Sequence, residues 1–270
     1  MPQRVRIMGI LNVTPDSFAD GGQWLEEAAL DARIEQLLAE GADIIDVGGE
    51  STRPFAGPVS ADEELERVIP AIRTIRRRSA IPISIDTTKA AVAREAIAAG
   101  ATMVNDISAL RHDPAMIEVV RSFAGPVVIM HMQGTPGDMQ IDPRYRDVVA
   151  EVNAFFAERI AWLERNGLAR SRLIVDPGIG FGKTPAHNLA LLGNVAALKG
   201  HGCPVLIGHS RKSFLGRLFD LPAEERDWPT ALVSALCVQQ GADILRVHAV
   251  RTTAQTLRLM AALTNPDSLG

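Results

Sequence analysis

Eight short apolar runs punctuate this chain, each followed by a loop and a helix-patterned stretch, and that alternation narrows the fold more than any other feature. The runs cover residues 5–13, 44–48, 81–86, 102–107, 126–132, 173–176, 205–209 and 244–247. Helical patterns fall between them over 24–40, from Ser60, over 90–99, from about Asp113 and Pro114, and over 145–166, 185–199 and 230–240. A short helix is also expected from Arg211 and a closing one over 252–263. Gly41 and Gly100 stand where left-handed helix ends belong, and Ser60 with Glu63 reads as a capping box. Continuous apolar strands joined by crossover helices must be parallel and covered on both faces. Eight such units in 270 residues predict an α/β fold, a single-domain (β/α)8 TIM barrel over 1–270 with mobile βα loops 1 and 2. A doubly wound open sheet is the alternative.

Composition excludes several function classes. A formal net charge of −4 argues against a nucleic-acid surface, and the one dense basic run, Arg76 to Arg78, closes a helix whose dipole it complements. No long uncharged apolar run and no basic-then-apolar leader is found, so no membrane span is expected and the expected location is cytoplasmic. Cys203 and Cys237 lie far apart without metal-ligand spacing and read as small core residues of a reducing compartment.

In a barrel of this kind the C-terminal strand ends meet at the mouth of the active site. This chain places there Asn12, Asp46 with Glu50, Asp86, Asn105 with Asp106, His131 with Gln133, Asp176, the run from His209 to Ser213, and Arg246 with His248. Any one of them is explained as a helix cap or a loop-amide acceptor. All eight ends together point to a polar pocket. Central carboxylates among apolar strands lose charge solvation unless a donor-rich or cationic ligand joins them, which suits a polar heterocycle or a transient cation. Arg211, Lys212, Arg246 and His248 on the last two ends suit a phosphate. Ser210 and Ser213 flank a helix start whose free amides suit a carboxylate or phosphate.

The stretch LIVDPGIGFGKT over 173–184 first suggests a nucleotide P-loop, but that pattern requires glycine where Pro177 stands, and proline has no N–H to offer. What remains is a strand-end acid, Asp176, and a tight glycine turn, with Lys183 read as a surface or helix-start residue.

Eight motifs in order now carry a resemblance. They are GILNVTPDSFADGG (9–22), DVGGESTRP (46–54), SIDTTK (84–89), NDIS (105–108), MHMQGTP (130–136), DPGIGFGKT (176–184), SRKSFLG (210–216) and RVH (246–248). Together they resemble the dihydropteroate synthases over essentially the whole chain. The resemblance implies a barrel that joins 6-hydroxymethyl-7,8-dihydropterin diphosphate to p-aminobenzoate, releases diphosphate with Mg²⁺, acts as a homodimer and is a target of sulfonamides. It assigns Asp86, Asn105, Asp176 and Lys212 to the pterin, and Asn12, Arg246 and His248 to the diphosphate, with Asn12 also at the metal. Phe181, Ser213 and the Thr52-Arg53-Pro54 loop would form the p-aminobenzoate site, Phe18 would belong to the first lid, and Asp86, Arg246 and Lys212 would be the catalytic set.

Three positions depart from the family pattern. Phe55 replaces the usual glycine after Pro54, so the second lid is expected to close differently and sulfonamide affinity to change. Ala249 stands where aspartate commonly follows the RVH motif, and Pro229 where glycine precedes Thr230; proline in the first turn of a helix is structurally neutral. Two rival readings stay open: a catalytically weak paralogue that binds pterin or diphosphate without making product, and a pterin-dependent methyltransferase of the same superfamily. The apolar residues of 231–238 and Leu257, Met260 and Leu263 suit a dimer interface as well as they suit a core.

Overall fold

A computed structural model describes residues 4–14, 22–51, 57 and 59–264, without the side chains of 22–27. The two loops expected to be mobile lie largely outside the described residues. Among the described residues the eight expected strands are β1 (Arg6–Asn12), β2 (Ile44–Gly48), β3 (Ile83–Asp86), β4 (Met103–Asp106), β5 (Val127–Met130), β6 (Leu173–Asp176), β7 (Leu206–Ile207) and β8 (Ile244–Val247). All pair in parallel in the order β6-β5-β4-β3-β2-β1-β8-β7. A parallel bridge between Val175 and Val205, with Val175 N–H donating to Pro204 O at 2.9 Å, joins the two ends of that order. The sheet is therefore a barrel, and the open-sheet alternative falls.

The two-residue period of a strand divides these runs between an outer and an inner face. Outward residues such as Ile45, Val47, Ile83, Ile85, Val104, Ile129, Val175 and Val247 join one large apolar core with the helices. Inward, Met8, Ile44, Met103, Val128, Ile174, Leu206 and Ile244 form a separate buried cluster, and Ser84, paired with Met103, continues their layer. Two residues further toward the mouth, the same eight strands present Ile10, Asp46, Asp86, Asn105, Met130, Asp176, Gly208 and Arg246. A dry plug thus lies directly beneath a polar layer.

Nine α-helices are seen among the described residues: α1 (Gly22–Ala39), α2 (Ala61–Arg78), α3 (Ala90–Ala99), α4 (Met116–Ser122), α5 (Val148–Arg165), α6 (Pro185–Leu192), α7 (Ser213–Phe219), α8 (Asp227–Gln239) and α9 (Val250–Thr264). The Ser60–Glu63 capping box is present, with Glu63 N–H donating to Ser60 Oγ at 3.2 Å and Ser60 N–H to Glu63 Oε2 at 3.0 Å. The single helix expected over 185–199 is instead divided: α6 stops at Gly193, and a 3-10 turn follows over Val195–His201. The basic run does more than face a dipole, since Arg76 donates to the carbonyls of Gly100 (2.8 Å) and Ser79 (3.2 Å) at the lower rim of the barrel.

Candidate active site

Arg246, from β8, reaches across the polar layer and divides its donors between two carboxylates. Its Nε donates to Asp46 Oδ2 at 2.6 Å and its terminal amine to Asp86 Oδ2 at 2.7 Å. Asn105 donates weakly to both oxygens of Asp46, at 3.3 and 3.4 Å. Burial pushes the Asp86 carboxyl up, Arg246 opposes that, and the neighbouring Asp46 adds to it. Two acids share one guanidinium, so the layer has room for a further positive charge.

On the opposite wall Asp176 accepts from Gly178 N–H at 2.8 Å and is raised by burial to about 6. Lys212, which precedes α7, is lowered to about 8 by burial and then by Arg246, with Asp176 and Asp86 opposing. Its Nζ stands 4.1 Å above the Phe181 ring, a cation–π contact. The structure thereby brings together Asp86, Asn105, Asp176, Lys212, Arg246 and Phe181 from five different βα units.

The turn after Asp176 is not an anion cradle. Its amides are used internally: Gly178 N–H goes to Asp176, Gly180 N–H to Asn188 Oδ1 at 2.8 Å, and Phe181 N–H to Gly178 O at 3.0 Å. Gly178 (φ +68) and Gly182 (φ +61) are required there, because a Cβ would meet His131 O at 2.0 Å and Gln133 O at 2.5 Å. The expectation that Lys183 lies at the surface is overturned: it is 2% exposed, its Nζ 3.0 Å from His131 Nδ1 and 2.9 Å from Phe181 O. Strand-end His131 likewise turns away from the mouth, with its ring edge-on to Phe155 at 4.9 Å and its pKa held down to about 3 by burial and Lys183.

At the ends of β1 and β8 a cleft of about 610 Å³ is lined by Asn12, Arg33, Arg211, Asp227, His248 and Ala249 among others, and Asp86 and Asp176 are not on its wall. Ser210, read as one of two candidates at a helix start, instead holds His248: its Oγ is 2.9 Å from Nδ1 and accepts His248 N–H at 3.1 Å. Burial, then Arg246, lowers His248 to about 3, so the ring is neutral and shares one hydrogen bond between Nδ1 and Ser210 Oγ. Arg211 is not a free basic group, being bound through two donors to Asp227 at 2.6 and 2.7 Å.

Ser213 is the exposed first residue of α7. Thr52, Arg53, Pro54, Phe55 and Phe18 lie outside the described residues. Asp46 was expected at the mouth but was assigned no ligand or catalytic role; its bond to Arg246 is what the sequence did not show. Pro229 lies buried in the first turn of α8, and the Ala249 carbonyl accepts Thr253 N–H at 3.2 Å where α9 begins.

Comparison with known proteins agrees with this layout. Residues 8–248 match the family described as pterin binding enzyme. Dihydropteroate synthases of Escherichia coli and Synechocystis are 45% and 44% identical, over 95% and 97% of this chain and 90% and 91% of theirs. Among solved structures, a dihydropteroate synthase of Xanthomonas albilineans with 4-aminobenzoic acid is 47% identical with a TM-score of 0.91, over 97% of this chain and 94% of that one. One of Yersinia pestis in a sulfonamide drug complex is 41% identical with a TM-score of 0.90, over 97% and 95%. The chain belongs to the dihydropteroate synthase family.

Proposed function

We propose that this chain condenses 6-hydroxymethyl-7,8-dihydropterin diphosphate with p-aminobenzoate to 7,8-dihydropteroate and diphosphate, a transferase step of folate biosynthesis. The observation that carries the reading is the polar layer itself, in which Asp46, Asp86, Asn105, Asp176, Lys212 and Arg246 crown a dry plug beside the Phe181 ring. Such a layer suits a flat heterocycle with donor and acceptor edges, and a relative from Xanthomonas albilineans has been solved in complex with 7,8-dihydropteroate.

Asp176 and Asn105 would read the edge of the pterin ring, and Lys212 would lie between that ring and Phe181. Cleavage of the carbon–oxygen bond sends its electron pair to the diphosphate and leaves a cation conjugated with the pterin. Asp86 lowers the energy of that cation, while Arg246 and neutral His248 face the departing oxygens. The amine lone pair of p-aminobenzoate then forms the carbon–nitrogen bond, and the amine gives up a proton. No protein nucleophile is required. Phe181, Ser213 and the Thr52-Arg53-Pro54 loop are proposed to form the p-aminobenzoate site, with Phe18 in the first lid.

No group of three or more acidic, histidine or cysteine side chains is set to hold a metal among the described residues. Asn12 nevertheless fits Mg²⁺. Its amide is exposed at the end of β1 and makes no side-chain hydrogen bond to a described residue, which suits an ion that takes few protein oxygens beside phosphate and water. When bound, the ion would supply charge stabilisation of the diphosphate.

We read residues 1–270 as one domain, placed in the cytoplasm, a reading supported by the two buried free cysteines. Among the described residues no helix is long and apolar enough to cross a membrane. A homodimer is supported by Leu232 and Leu236 of α8 and Leu259 and Leu263 of α9, each at least half exposed, whereas Leu257 packs against the core. Light scattering decides that point. Phe55→Gly is expected to change the sulfonamide inhibition constant, and equal constants would end the idea. The reaction is tested by diphosphate release: it must require both substrates and yield dihydropteroate, and release without p-aminobenzoate, or binding without turnover, refutes it. Methyl transfer from methyltetrahydrofolate with no p-aminobenzoate binding would favour the rival methyltransferase reading.

A further inference from the structure

Lys183 is buried with no carboxylate hydrogen-bonded to it among the described residues, and burial lowers its ammonium to about 7, so its protons must find neutral acceptors. They do. Its Nζ lies 3.0 Å from His131 Nδ1, 2.9 Å from Phe181 O and 3.3 Å from His131 O. His131 is neutral at ordinary pH, so its Nδ1 is free to accept. The two carbonyls belong to different units, one just past β5 and the other in the turn after β6.

The neighbouring peptides of that turn are held as well. Gln140 donates to Gly180 O at 2.6 Å and Tyr145 to Gly182 O at 2.8 Å. Three successive carbonyls, of Gly180, Phe181 and Gly182, are therefore each fixed by a side-chain donor, and among the described residues Lys183 is the side chain that holds the Phe181 carbonyl. A residue that merely filled space here would be served by methionine, as Met130, Met132 and Met139 serve beside the Phe181 ring. A cation carries a desolvation cost that methionine does not, and its three directed bonds set an orientation in return.

We propose that Lys183 is a positioning residue that aims the Phe181 ring at the second substrate by tying the Phe181 carbonyl to the end of β5. The proposal rests on the reading of Phe181 as the wall of the p-aminobenzoate site. Its action is on binding of one substrate, not on the chemistry.

The test is a double-mutant cycle of Lys183→Met and Phe181→Ala in the full-length enzyme, with KM for each substrate and kcat as readouts. Lys183→Met is expected to raise KM for p-aminobenzoate about tenfold while kcat and KM for the pterin diphosphate stay within about twofold. In the Phe181→Ala background the same change is expected to add less than about twofold, because the ring it acts through is gone. Equal rises in both KM values, a full-sized effect without the ring, or no effect at all would overturn the proposal. If Phe181→Ala itself leaves KM for p-aminobenzoate unchanged, the reading of Phe181 fails and the proposal falls with it. If Phe181→Ala raises KM and Lys183→Met does not, only the proposal falls. Should Lys183→Met fail to fold, Lys183→Leu, which likewise removes every donor, takes its place under the same criteria.

Discussion

Asp46, wholly buried in the middle of β2, accepts from Arg246 Nε at 2.6 Å across 200 residues of sequence. The bond aims the guanidinium so that its other edge meets Asp86, 2.7 Å away. Asp46→Asn leaves Arg246 with one ionic partner and a poorer acceptor beneath it. The variant is expected to lose roughly 2–3 kcal/mol of stability. Turnover should fall on the order of 10²-fold, because the donor proposed to face the leaving group is no longer preorganised. Chemical denaturation and steady-state kinetics check the two effects separately.

On the proposed mechanism Asp86 acts on the cation more than on the bound ring. Asp86→Asn keeps the shape and the hydrogen-bonding edge but removes the charge. It is expected to cost on the order of 10²-fold or more in kcat and only about fivefold in pterin affinity. Comparable losses in kcat and in calorimetric affinity would reduce Asp86 to a binding group.

Pterin affinity is expected to be greatest between about pH 6 and pH 8. Asp176, raised to about 6 by burial, is held toward ionisation by Gly178 N–H, Arg246, Lys212 and Lys183, and must be ionised to accept from the pterin edge. Lys212, lowered to about 8, must be charged. Affinity therefore falls on the acid side through protonation of Asp176 and on the alkaline side through loss of the Lys212 proton. The folded state binds the Asp176 proton more tightly than an unfolded chain does, so its ionisation lowers stability as pH rises through about 6. Asp176→Asn should accordingly abolish the acid limb of the binding profile and raise the Tm of the ligand-free protein near pH 8. Calorimetric titration and thermal unfolding across that range check both.

Ser210 orients His248 through two contacts, at 2.9 and 3.1 Å. Ser210→Ala frees the ring without removing it. KM for the pterin diphosphate is expected to rise about three- to tenfold, with p-aminobenzoate unaffected. Inorganic diphosphate as a competitive inhibitor should weaken in parallel.

The legible part of the fold was the part encoded locally. Alternating apolar runs and helix patterns place eight strands within a few residues of where they lie, and the two-residue period already separates Ile44 from Ile45 and Ile174 from Val175. Helix ends were read less well. Gly193 stops α6 seven residues before the apolar pattern of 185–199 runs out, since the 3-10 turn that follows still buries Val195 and Leu198.

The same division holds at the candidate site. Asp86, Asn105, Asp176, Lys212 and Arg246 could be named from strand-end position and motif, because a closed parallel barrel brings all strand ends to one face. Lys183 could not be placed, since a lysine after a glycine turn is ordinarily exposed, and only its packing against β5 shows the three acceptors that make burial tolerable. Asp46 with Arg246 and Ser210 with His248 were hidden in the same way, their partners lying 200 and 38 residues apart. The sequence by itself determined which side chains arrive at the mouth, because periodicity and connectivity are local properties of the chain. Tertiary structure alone decided which of them bind one another and which remain free for a ligand, because those choices depend on distances between strands that no local pattern records.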